Sequence, residues 1–350
     1  MSSQHTPYWN KEMPAHPVVA VAGATGAVGR EMLKTLEQRQ FPASRVIALA
    51  SSRSAGSKVA FNGPGSVDGF LTVEEMTHDS FEGVDIALFS AGGSISEGYA
   101  PDCVRCGAVM IDNSSAFRMD PEVPLVVPEV NPDDALLHKG IIANPNCSTI
   151  QMVVALEPLH KLAPIKRVVV ATYQAASGAG AAAMQELYDQ TGDFLEGKEV
   201  HPEKFAHRIA FNCIPHIDKF LDDDSTKEEW KMVVETKKIM HDDNIAVSAT
   251  CVRVPVLRCH SEVVNVEFES EVSVEAARAA FEAAPGIIVM DDPAAALYPM
   301  PALLEGTDHT YVGRLRKDDT IAHGLNFWVV ADQLRKGAAL NAVQIAELLV

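Results

Sequence analysis

The sequence predicts an α/β protein with two domains, the first built on a parallel sheet and the second on a largely antiparallel one. In the first part, apolar strand-like runs alternate with helix-length segments, which is typical of a parallel sheet covered by helices. The later run at 262–269 alternates between apolar and polar residues, as a strand with one solvated face does. A length of 350 residues with 47% hydrophobic content fits two domains.

The change of pattern sets the predicted domain boundaries. Residues 1–16 are polar and aperiodic and predict a loose arm. The first domain is predicted at 17–146, completed by a C-terminal helix at 331–350, and the second at 147–330. Strands of the first domain are predicted at 17–22, 45–50, 85–90, 108–112 and 140–143. In the second domain we predict strands at 166–173, 249–256 and 262–269 and a helix at 274–284.

The charge limits the classes of partner. With 29 basic and 47 acidic residues the formal charge is −18, which argues against nucleic acid or an anionic membrane as the main partner. A small anionic substrate needs only a local basic pocket and stays compatible with this charge. The sequence shows neither an apolar run of bilayer length nor a signal-peptide pattern. We expect a protein of the cytoplasm.

The six cysteines do not form a disulfide framework for a chain of this size, and they fit a reducing compartment. Cys103 and Cys106 have the C-x-x-C spacing that is found in metal and redox sites. No second pair follows at zinc-site spacing, and segment 98–107 is a predicted helix that leads into a strand. A structural role is therefore favoured for this pair, and no metal site is predicted.

Three glycines, Gly23, Gly26 and Gly29, follow the first predicted strand and open a helix that continues to Gln38. Such glycines let the backbone approach a pyrophosphate, and the helix N-terminus attracts its charge. The spacing is G-x-x-G-x-x-G instead of G-x-G-x-x-G, and tight glycine turns also occur without ligands. Its position directly after the first strand favours a Rossmann-like dinucleotide-binding domain.

The end of the second predicted strand indicates which dinucleotide is bound. Enzymes that prefer NAD usually carry an acidic residue there, which holds the ribose hydroxyls. This chain has Arg53 between Ser52 and Ser54 at that place. An arginine flanked by hydroxyls suits a 2′-phosphate, so NADP is predicted. The alternative is an ordinary polar loop.

Cys147 stands between a predicted strand at 140–143 and a predicted helix that starts near Thr149. The unpaired N–H groups and the dipole of a helix N-terminus favour a thiolate, which is the form that attacks a carbonyl carbon. The alternative is a small buried cysteine at a turn.

A cysteine nucleophile needs a proton shuttle and groups that orient the substrate. His260 and Arg253 lie near a strand end, and Gln174 ends another strand before a glycine-rich loop. Glu228 and Lys231 are three residues apart on one helix face. Most of these residues also have a plain alternative. His260 could be a satisfied core histidine, and Gln174 a loop residue that forms hydrogen bonds. Glu228 and Lys231 could be a surface ion pair.

From about Val18 to the C-terminus the chain resembles the aspartate-semialdehyde dehydrogenase family. The motifs that carry the resemblance occur in the family's order, and they are GATGAVG, LASSRSAG, DNSSAFRMD, VVPEVN, NPNCST, YQAASGAG, EEWK, RVPVLRCHSE and DQLRKGAALNAVQIAE. The resemblance implies a Rossmann-like NADP-binding domain followed by an α+β catalytic and dimerisation domain.

The resemblance also implies roles for the matching residues. Cys147 matches the acyl-enzyme nucleophile, Gln174 the residue that orients the substrate and His260 the acid/base. Arg253 matches the clamp on the substrate carboxylate, and Asn146 is a candidate to support the oxyanion, together with backbone N–H groups at the helix start. The phosphate-side pocket is matched by Arg118, Lys231 and Glu228. The cofactor contacts are matched by Thr25, Gly26, Ala27, Val28, Arg53, Ser54, Ser177 and Gly178, and less closely by Gln333, where relatives often have asparagine.

The implied activity is NADPH-dependent reductive dephosphorylation of L-aspartyl 4-phosphate to L-aspartate 4-semialdehyde through a cysteine thioester. This step belongs to the biosynthesis of lysine, threonine and methionine, and the implied assembly is a homodimer, with a tetramer as the alternative. N-acetyl-γ-glutamyl-phosphate reductase is the nearest rival, although RCHSE and EEWK favour the aspartyl enzyme. A catalytically silent nucleotide-binding relative would be expected to lose Cys147 or His260, and this chain has both.

Overall fold

The computed structural model describes residues 11–350, which form two compact units, one of 11–145 with 338–350 and one of 146–337. Residues 1–10 of the predicted loose arm lie outside the described part. From Lys11 onward the arm is attached, because the Lys11 ammonium donates to the Asp85 carboxylate and the Gly107 carbonyl, both at 2.8 Å.

The first unit contains a six-stranded sheet in which every pairing is parallel. The strands of this unit are β1 Val18–Ala22, β2 Arg45–Ala50, β3 Lys58–Ala60, β4 Phe70–Thr72, β5 Glu74–Glu75, β6 Ile86–Phe89, β7 Val109–Asp112 and β8 Ile141–Ala143. Strands β3 and β4 form a separate antiparallel pair, and the other six form the sheet. The order across the sheet is β5-β2-β1-β6-β7-β8. The central strands β1, β6 and β7 are buried almost throughout, which explains their continuous apolar sequences.

Two helices of this unit follow strands of the sheet, α1 (Ala27–Gln38) after β1 and α2 (Gly93–Cys106) after β6. The apolar side of α1, with Met32, Leu33 and Leu36, belongs to one core cluster of the unit. On α2, Cys103 belongs to a second cluster, which also contains residues of β6 and β7. The parallel-sheet domain predicted from the alternating pattern is confirmed.

The second unit combines helices with a six-stranded mixed sheet. Its elements are α3 Cys147–His160, β9 Ile165–Gln174, α4 Ala181–Leu195, α5 Lys227–Met240, β10 Ala246–Arg253, β11 His260–Phe268, α6 Val274–Ala283, β12 Ile287–Val289, α7 Pro301–Leu304, β13 Thr310–Asp318 and β14 Gly324–Ala331. The order is β10-β9-β11-β14-β13-β12, and the three inner pairings are antiparallel while the two outer ones are parallel. The predicted α+β unit with a largely antiparallel sheet is thus confirmed.

Helix α3 is apolar on all sides and is buried along most of its length, between α5, α6 and the sheet of its own unit. A helix without an exposed face cannot rotate or shift without losing packing on every side. Its first residue is therefore held in a fixed position.

The C-terminal helix is shorter than the sequence predicted. A π-helical turn at Arg335–Ala339 precedes α8 (Leu340–Glu347), which packs with α1 in the first unit. Residues 331–337 stay with the second unit, since the Asp332 carboxylate accepts a hydrogen bond from Gly306 N–H at 2.7 Å and forms an ion pair with Arg258 at 2.7 Å. Between residues 11 and 350, no helix is long and apolar enough to cross a membrane.

Candidate active site

The glycine turn after β1 has the tight geometry that its sequence predicts. Gly23 has φ +84°, and a Cβ there would lie 2.4 Å from the Ser90 carbonyl oxygen. A Cβ on Gly29 would lie 2.1 Å from the Gly23 oxygen, so both positions require glycine. Helix α1 begins at Ala27, and its N-cap, Gly26, has no side chain that could cap the first turn. This turn therefore presents the backbone of a helix N-terminus.

Arg53 lies in a short 3-10 turn, Ser52–Ser54, directly after β2. Its side chain is exposed, and Ser54 beside it is half-buried. Strand β2 is the parallel neighbour of β1, so its carboxyl end lies on the same edge of the sheet as the glycine turn. This is the edge at which dinucleotides bind in such sheets, and the turn carries no acidic residue.

Arg118 also belongs to the first unit, where it is 7% exposed. Its Nε donates to the Asn144 carbonyl oxygen at 2.9 Å, and its Nη2 donates to the Asn113 carbonyl oxygen at 3.0 Å. Both carbonyls directly follow strands of the parallel sheet, β8 and β7, so Arg118 is anchored at their carboxyl ends.

Cys147 is the first residue of α3 and is half-buried. The N-cap is Asn146, whose Oδ1 accepts hydrogen bonds from the N–H groups of Ser148 at 3.0 Å and Thr149 at 3.1 Å. The helix start was expected to offer free backbone N–H groups to an oxyanion. This expectation is wrong for the N–H groups of Ser148 and Thr149. The cap fixes the backbone turn on which the cysteine stands.

Glu228, on the first turn of α5, joins three other predicted site residues. Its Oε1 accepts from Asn146 Nδ2 at 2.9 Å and from Gln174 Nε2 at 3.0 Å, and its Oε2 accepts from Lys231 Nζ at 3.1 Å. Lys231 also donates to the Asp218 carboxylate at 2.7 Å. Because Glu228 is only 5% exposed, it and Lys231 are not a surface ion pair.

The contacts of Glu228 and Lys231 keep both groups charged. Burial alone would raise the pKa of Glu228, but Lys231 and the two amide donors outweigh it and leave the pKa lowered. Burial alone would lower the pKa of Lys231, but Glu228 and Asp218 outweigh it and leave the pKa raised. The result is a buried, ionised pair beside the N-cap of the cysteine helix.

Three neighbouring strand ends bring Gln174, Arg253 and His260 together. Gln174 ends β9 and Arg253 ends the parallel strand β10, in register with each other. His260 begins β11, which is antiparallel to β9, so it lies at the same end of the sheet. Ala175 connects them, since its N–H donates to His260 Nδ1 at 3.0 Å and its carbonyl accepts from Arg253 Nη1 at 2.6 Å.

The charge of this group is set mainly by burial. His260 is fully buried, and burial together with the positive charge of Arg253 holds the pKa of His260 well below its ordinary value. Burial also lowers the pKa of Arg253. The coulombic effects of Glu228 and Cys147 raise this pKa, but they do not outweigh burial. The imidazole is therefore neutral at physiological pH.

Gly178 packs directly on these side chains. A Cβ at this position would lie 2.9 Å from Arg253 Nη1 and 3.0 Å from His260 Nε2, while the backbone φ is one that alanine tolerates. We expect Gly178→Ala to displace both side chains and to lower kcat/KM by at least about tenfold, because small misplacements at a reacting centre are costly.

Initial-rate kinetics measure this effect, with Gly98→Ala as the matched control. A Cβ on Gly98, an exposed residue of α2, meets no atom within 4 Å, so this variant should keep wild-type kinetics. Equal kinetics for the two variants would contradict the contact between Gly178 and the two side chains.

The segment after β14 contributes contacts that the sequence did not predict. Gln333 Oε1 accepts from Cys259 N–H at 2.8 Å, and its Nε2 donates to Ser177 Oγ. A Cβ on Gly337 would lie 2.9 Å from the Cβ of Cys147. Nothing in the local sequence indicated this approach, which depends on the π-helical turn at 335–339.

The C-x-x-C pair, Cys103 and Cys106, lies on α2 in the first unit. Both cysteines are free, and burial raises the pKa of Cys103 to about 12. A thiol with such a pKa is unreactive at neutral pH, which fits the predicted structural role. Within residues 11–350, no three His, Cys, Asp or Glu side chains are grouped so that they could hold a metal ion.

A Rossmann-type unit joined to an α+β unit that carries a cysteine at a helix N-terminus defines a class of nucleotide-dependent oxidoreductases. Family models of the semialdehyde dehydrogenases match both parts, the NAD binding domain at residues 18–138 and the dimerisation domain at 156–336. The aspartate-semialdehyde dehydrogenase of Aquifex aeolicus is 58% identical to this chain over 336 residues. The chain therefore belongs to the aspartate-semialdehyde dehydrogenase family. The match covers 95% of this chain and 97% of that protein.

Solved structures show the same relationship. An aspartate semialdehyde dehydrogenase II from Vibrio cholerae, complexed with ASA, is 47% identical and superposes with a TM-score of 0.92 over 96% of this chain and 98% of that one. The aspartate semialdehyde dehydrogenase of Candida albicans with NADP is 26% identical, with a TM-score of 0.73 over 95% and 98% of the two chains.

Proposed function

We propose that the protein catalyses the NADPH-dependent reductive dephosphorylation of L-aspartyl 4-phosphate to L-aspartate 4-semialdehyde, in the biosynthesis of lysine, threonine and methionine. The observation that carries the proposal is the assembly in the second unit. There, a cysteine opens a buried helix, and Gln174, Arg253 and His260 meet at three strand ends. The family to which the chain belongs supports the same reaction.

In the proposed mechanism, the Cys147 thiolate attacks the acyl carbon of the substrate, and phosphate leaves. The thioester that results holds the acyl group on the enzyme, which divides one difficult exchange into two easier steps. Bound NADPH supplies the hydride that reduces this thioester. The aldehyde forms when the thiolate is expelled again.

Arg253 and Gln174 orient the substrate in this proposal. The planar guanidinium of Arg253 suits a carboxylate, and its contact with the Ala175 carbonyl fixes one edge of the group. Gln174 is held at both ends, because its Nε2 donates to Glu228 and its Oε1 accepts from Thr172 Oγ1 at 3.0 Å. An amide held in this way has one orientation toward the substrate.

The resemblance gives Arg118, Lys231 and Glu228 the phosphate side of the pocket, and we assign the Lys231 ammonium to the departing phosphate. For Asn146, the contacts favour a positioning role over support of the oxyanion. Its side chain caps α3 with the oxygen and holds Glu228 with the nitrogen, while its own N–H donates to Glu235 Oε2 at 2.6 Å.

The cofactor proposal is NADP(H), held in the first unit by the backbone of residues 25–28 and by Arg53 with Ser54. The glycine turn fits a pyrophosphate, and the exposed arginine after β2 fits a 2′-phosphate. The resemblance adds Ser177, Gly178 and Gln333 as further contacts. Of these, Ser177 and Gln333 bond to each other.

We expect Arg53→Asp to lower the ratio of kcat/KM for NADP to that for NAD by at least about tenfold. An aspartate repels the 2′-phosphate and accepts hydrogen bonds from the ribose hydroxyls of NAD. Parallel kinetics with the two cofactors measure the ratio. Arg45→Asp is the control, since Arg45 is an exposed arginine at the opposite end of β2. An unchanged ratio in Arg53→Asp would contradict the assignment.

The proposed function is tested directly by phosphate-dependent reduction of NADP with aspartate 4-semialdehyde. We expect turnover that requires inorganic phosphate and that is faster than with N-acetylglutamate 5-semialdehyde. Faster turnover of the acetylated substrate would instead identify an N-acetyl-γ-glutamyl-phosphate reductase. Absence of phosphate-dependent turnover with both would indicate a silent relative.

We further propose a homodimer in the cytoplasm, with a tetramer as the alternative assembly. The match to a dimerisation domain supports the oligomer, as do large exposed apolar side chains in the second unit, among them Tyr188, Leu195 and Phe211. The six cysteines are all free, which fits a reducing compartment.

A further inference from the structure

We propose that Asp218 limits the affinity of Lys231 for phosphate, so that the phosphate released from the substrate can leave the site. The inference rests on the proposed function, in which the Lys231 ammonium receives the departing phosphate. Asp218 is not among the residues that the sequence motifs or the resemblance indicated. It acts through the lysine, as a residue that positions the ammonium and balances its charge.

Lys231 Nζ already makes two hydrogen bonds inside the protein. It donates to Asp218 Oδ2 at 2.7 Å and to Glu228 Oε2 at 3.1 Å. An ammonium has three N–H donors and no acceptor, so at most one N–H remains for a phosphate oxygen. Because the Lys231 side chain is only 12% exposed, phosphate must approach an ammonium that is held between these two carboxylates.

These three groups carry one positive and two negative charges. The pKa of Glu228 is lowered and that of Lys231 is raised, so both are ionised. Burial alone would raise the pKa of Asp218, but the contacts with Lys231 and with Lys219 N–H leave it lowered. The half-buried Lys227 adds a weaker effect of the same sign. An incoming phosphate anion therefore meets a cation whose charge is offset by its own partners.

The backbone holds Asp218 in this place. Its φ is +66°, in the left-handed region, which aspartate and asparagine adopt more readily than most residues. Its Oδ1 accepts from Lys219 N–H at 2.9 Å, while Oδ2 accepts from Lys231. The chain that follows is anchored, because Lys227 N–H donates to the Lys219 carbonyl at 2.8 Å. The contact between Asp218 and Lys231 is therefore a fixed part of the fold.

A balanced charge at this point suits a leaving phosphate. In the proposed reaction the thiolate forms the C–S bond, the acyl C–O bond breaks, and phosphate leaves with the electron pair. A cation near the leaving oxygen stabilises the charge that develops there, but a strongly cationic site would retain the product. Lys231 between two carboxylates supplies a directed hydrogen bond with little net attraction, so phosphate can depart.

Asp218→Asn removes the charge and keeps the shape, because the amide oxygen can still accept from Lys231. We expect KM for phosphate in the oxidation of aspartate 4-semialdehyde to fall about three- to tenfold, since one negative charge beside the ammonium is lost. A larger change is not expected, because the Asp218 side chain is 34% exposed and solvent screens part of its charge. KM for the aldehyde should not change. In the reductive direction, inhibition by phosphate should become stronger by the same factor.

Asp222→Asn is the matched control in these initial-rate measurements. It removes the same charge from an exposed residue of the loop that leads into α5, and it should leave KM for phosphate unchanged. A phosphate KM that is unchanged or higher in Asp218→Asn would overturn the inference. Asp218 would then serve only to tie this loop to α5.

Phosphate binding without turnover separates this inference from the proposed function. Relaxation of the ³¹P signal of inorganic phosphate, titrated against the enzyme with saturating NADP and no aldehyde, gives Kd for phosphate. Equal values for wild type and Asp218→Asn, with turnover in wild type, would overturn the inference and leave the proposed function standing. If wild type shows no turnover, the proposed function fails, and tighter binding to Asp218→Asn would still show that Asp218 limits the affinity for phosphate.

Discussion

Replacing Cys147 by alanine is expected to lower kcat for phosphate-dependent NADP reduction by roughly 10⁴-fold or more, because the covalent route is lost completely. The fold should not change. Alanine is a good helix residue, and Cys147 is half-buried at the first position of α3, where Asn146 supplies the cap. Binding of the cofactor should therefore persist in the inactive variant.

The measurement combines steady-state kinetics with a trapping experiment. Rapid quenching of wild type with aspartyl phosphate should give a protein that is heavier by one aspartyl group, and the variant should give none. Cys213→Ala is the matched control, since Cys213 is an exposed thiol of the same unit. Activity of Cys147→Ala within tenfold of the control would contradict the nucleophile assignment.

Periodicity and glycine spacing were sufficient to predict the two kinds of sheet. The near-continuous apolar strands β1, β6 and β7 indicate burial on both faces, and the alternation along β11 indicates one solvated face. These signals are local in the sequence. For the same reason the glycine turn and the start of α3 could be placed to within a few residues.

The network around Glu228 could not be predicted, because its partners are far apart in the chain. Glu228 meets Asn146, 82 residues away, and Gln174, 54 residues away. Its spacing to Lys231 predicts a common helix face but does not show whether that face is buried. The hydrogen bond from Ala175 to His260, across 85 residues, has no local signal either.

The C-terminal segment shows a different limit. The apolar and small residues from 332 onward predict one helix, but contacts of Asp332 and Gln333 within the second unit delay the start of α8 to Leu340. Tertiary hydrogen bonds here override helix propensity. The π-helical turn that results brings Gly337 against Cys147, which the sequence pattern does not reveal.

Glu228→Ala is expected to reduce the stability of the second unit by about 3–5 kcal/mol, the usual effect of breaking a buried ion pair from one side. The variant leaves Lys231 with Asp218 alone and removes the acceptor of the Asn146 and Gln174 amides. A loss of this size is a large part of the 5–15 kcal/mol that stabilises a typical domain. Activity should fall too, because Gln174 loses one of its two anchors.

Urea denaturation followed by tryptophan fluorescence measures this loss, since Trp230 on α5 and Trp328 on β14 both belong to the second unit. Glu228→Gln keeps an acceptor oxygen without the charge and should cost less than the alanine. Adding Lys231→Met to Glu228→Gln removes both charges, so the double variant should lose less than the two single losses combined. Additive losses would show that the pair is not coupled.

The stability that Glu228 contributes has a definite dependence on pH. Its pKa is lowered in the folded protein, so the unfolded chain binds the proton more readily. The contribution is therefore complete above the ordinary carboxyl pKa of about 4.3 and disappears as the pH falls through the folded value. We expect the stability difference between wild type and Glu228→Gln to be constant from pH 6 to 8 and to shrink below about pH 4.3. A difference that stays constant into the acid range would show that folding does not lower the pKa of Glu228. A difference that falls as the pH rises from about 4.3 to 8 would show that the carboxyl is neutral in the folded state.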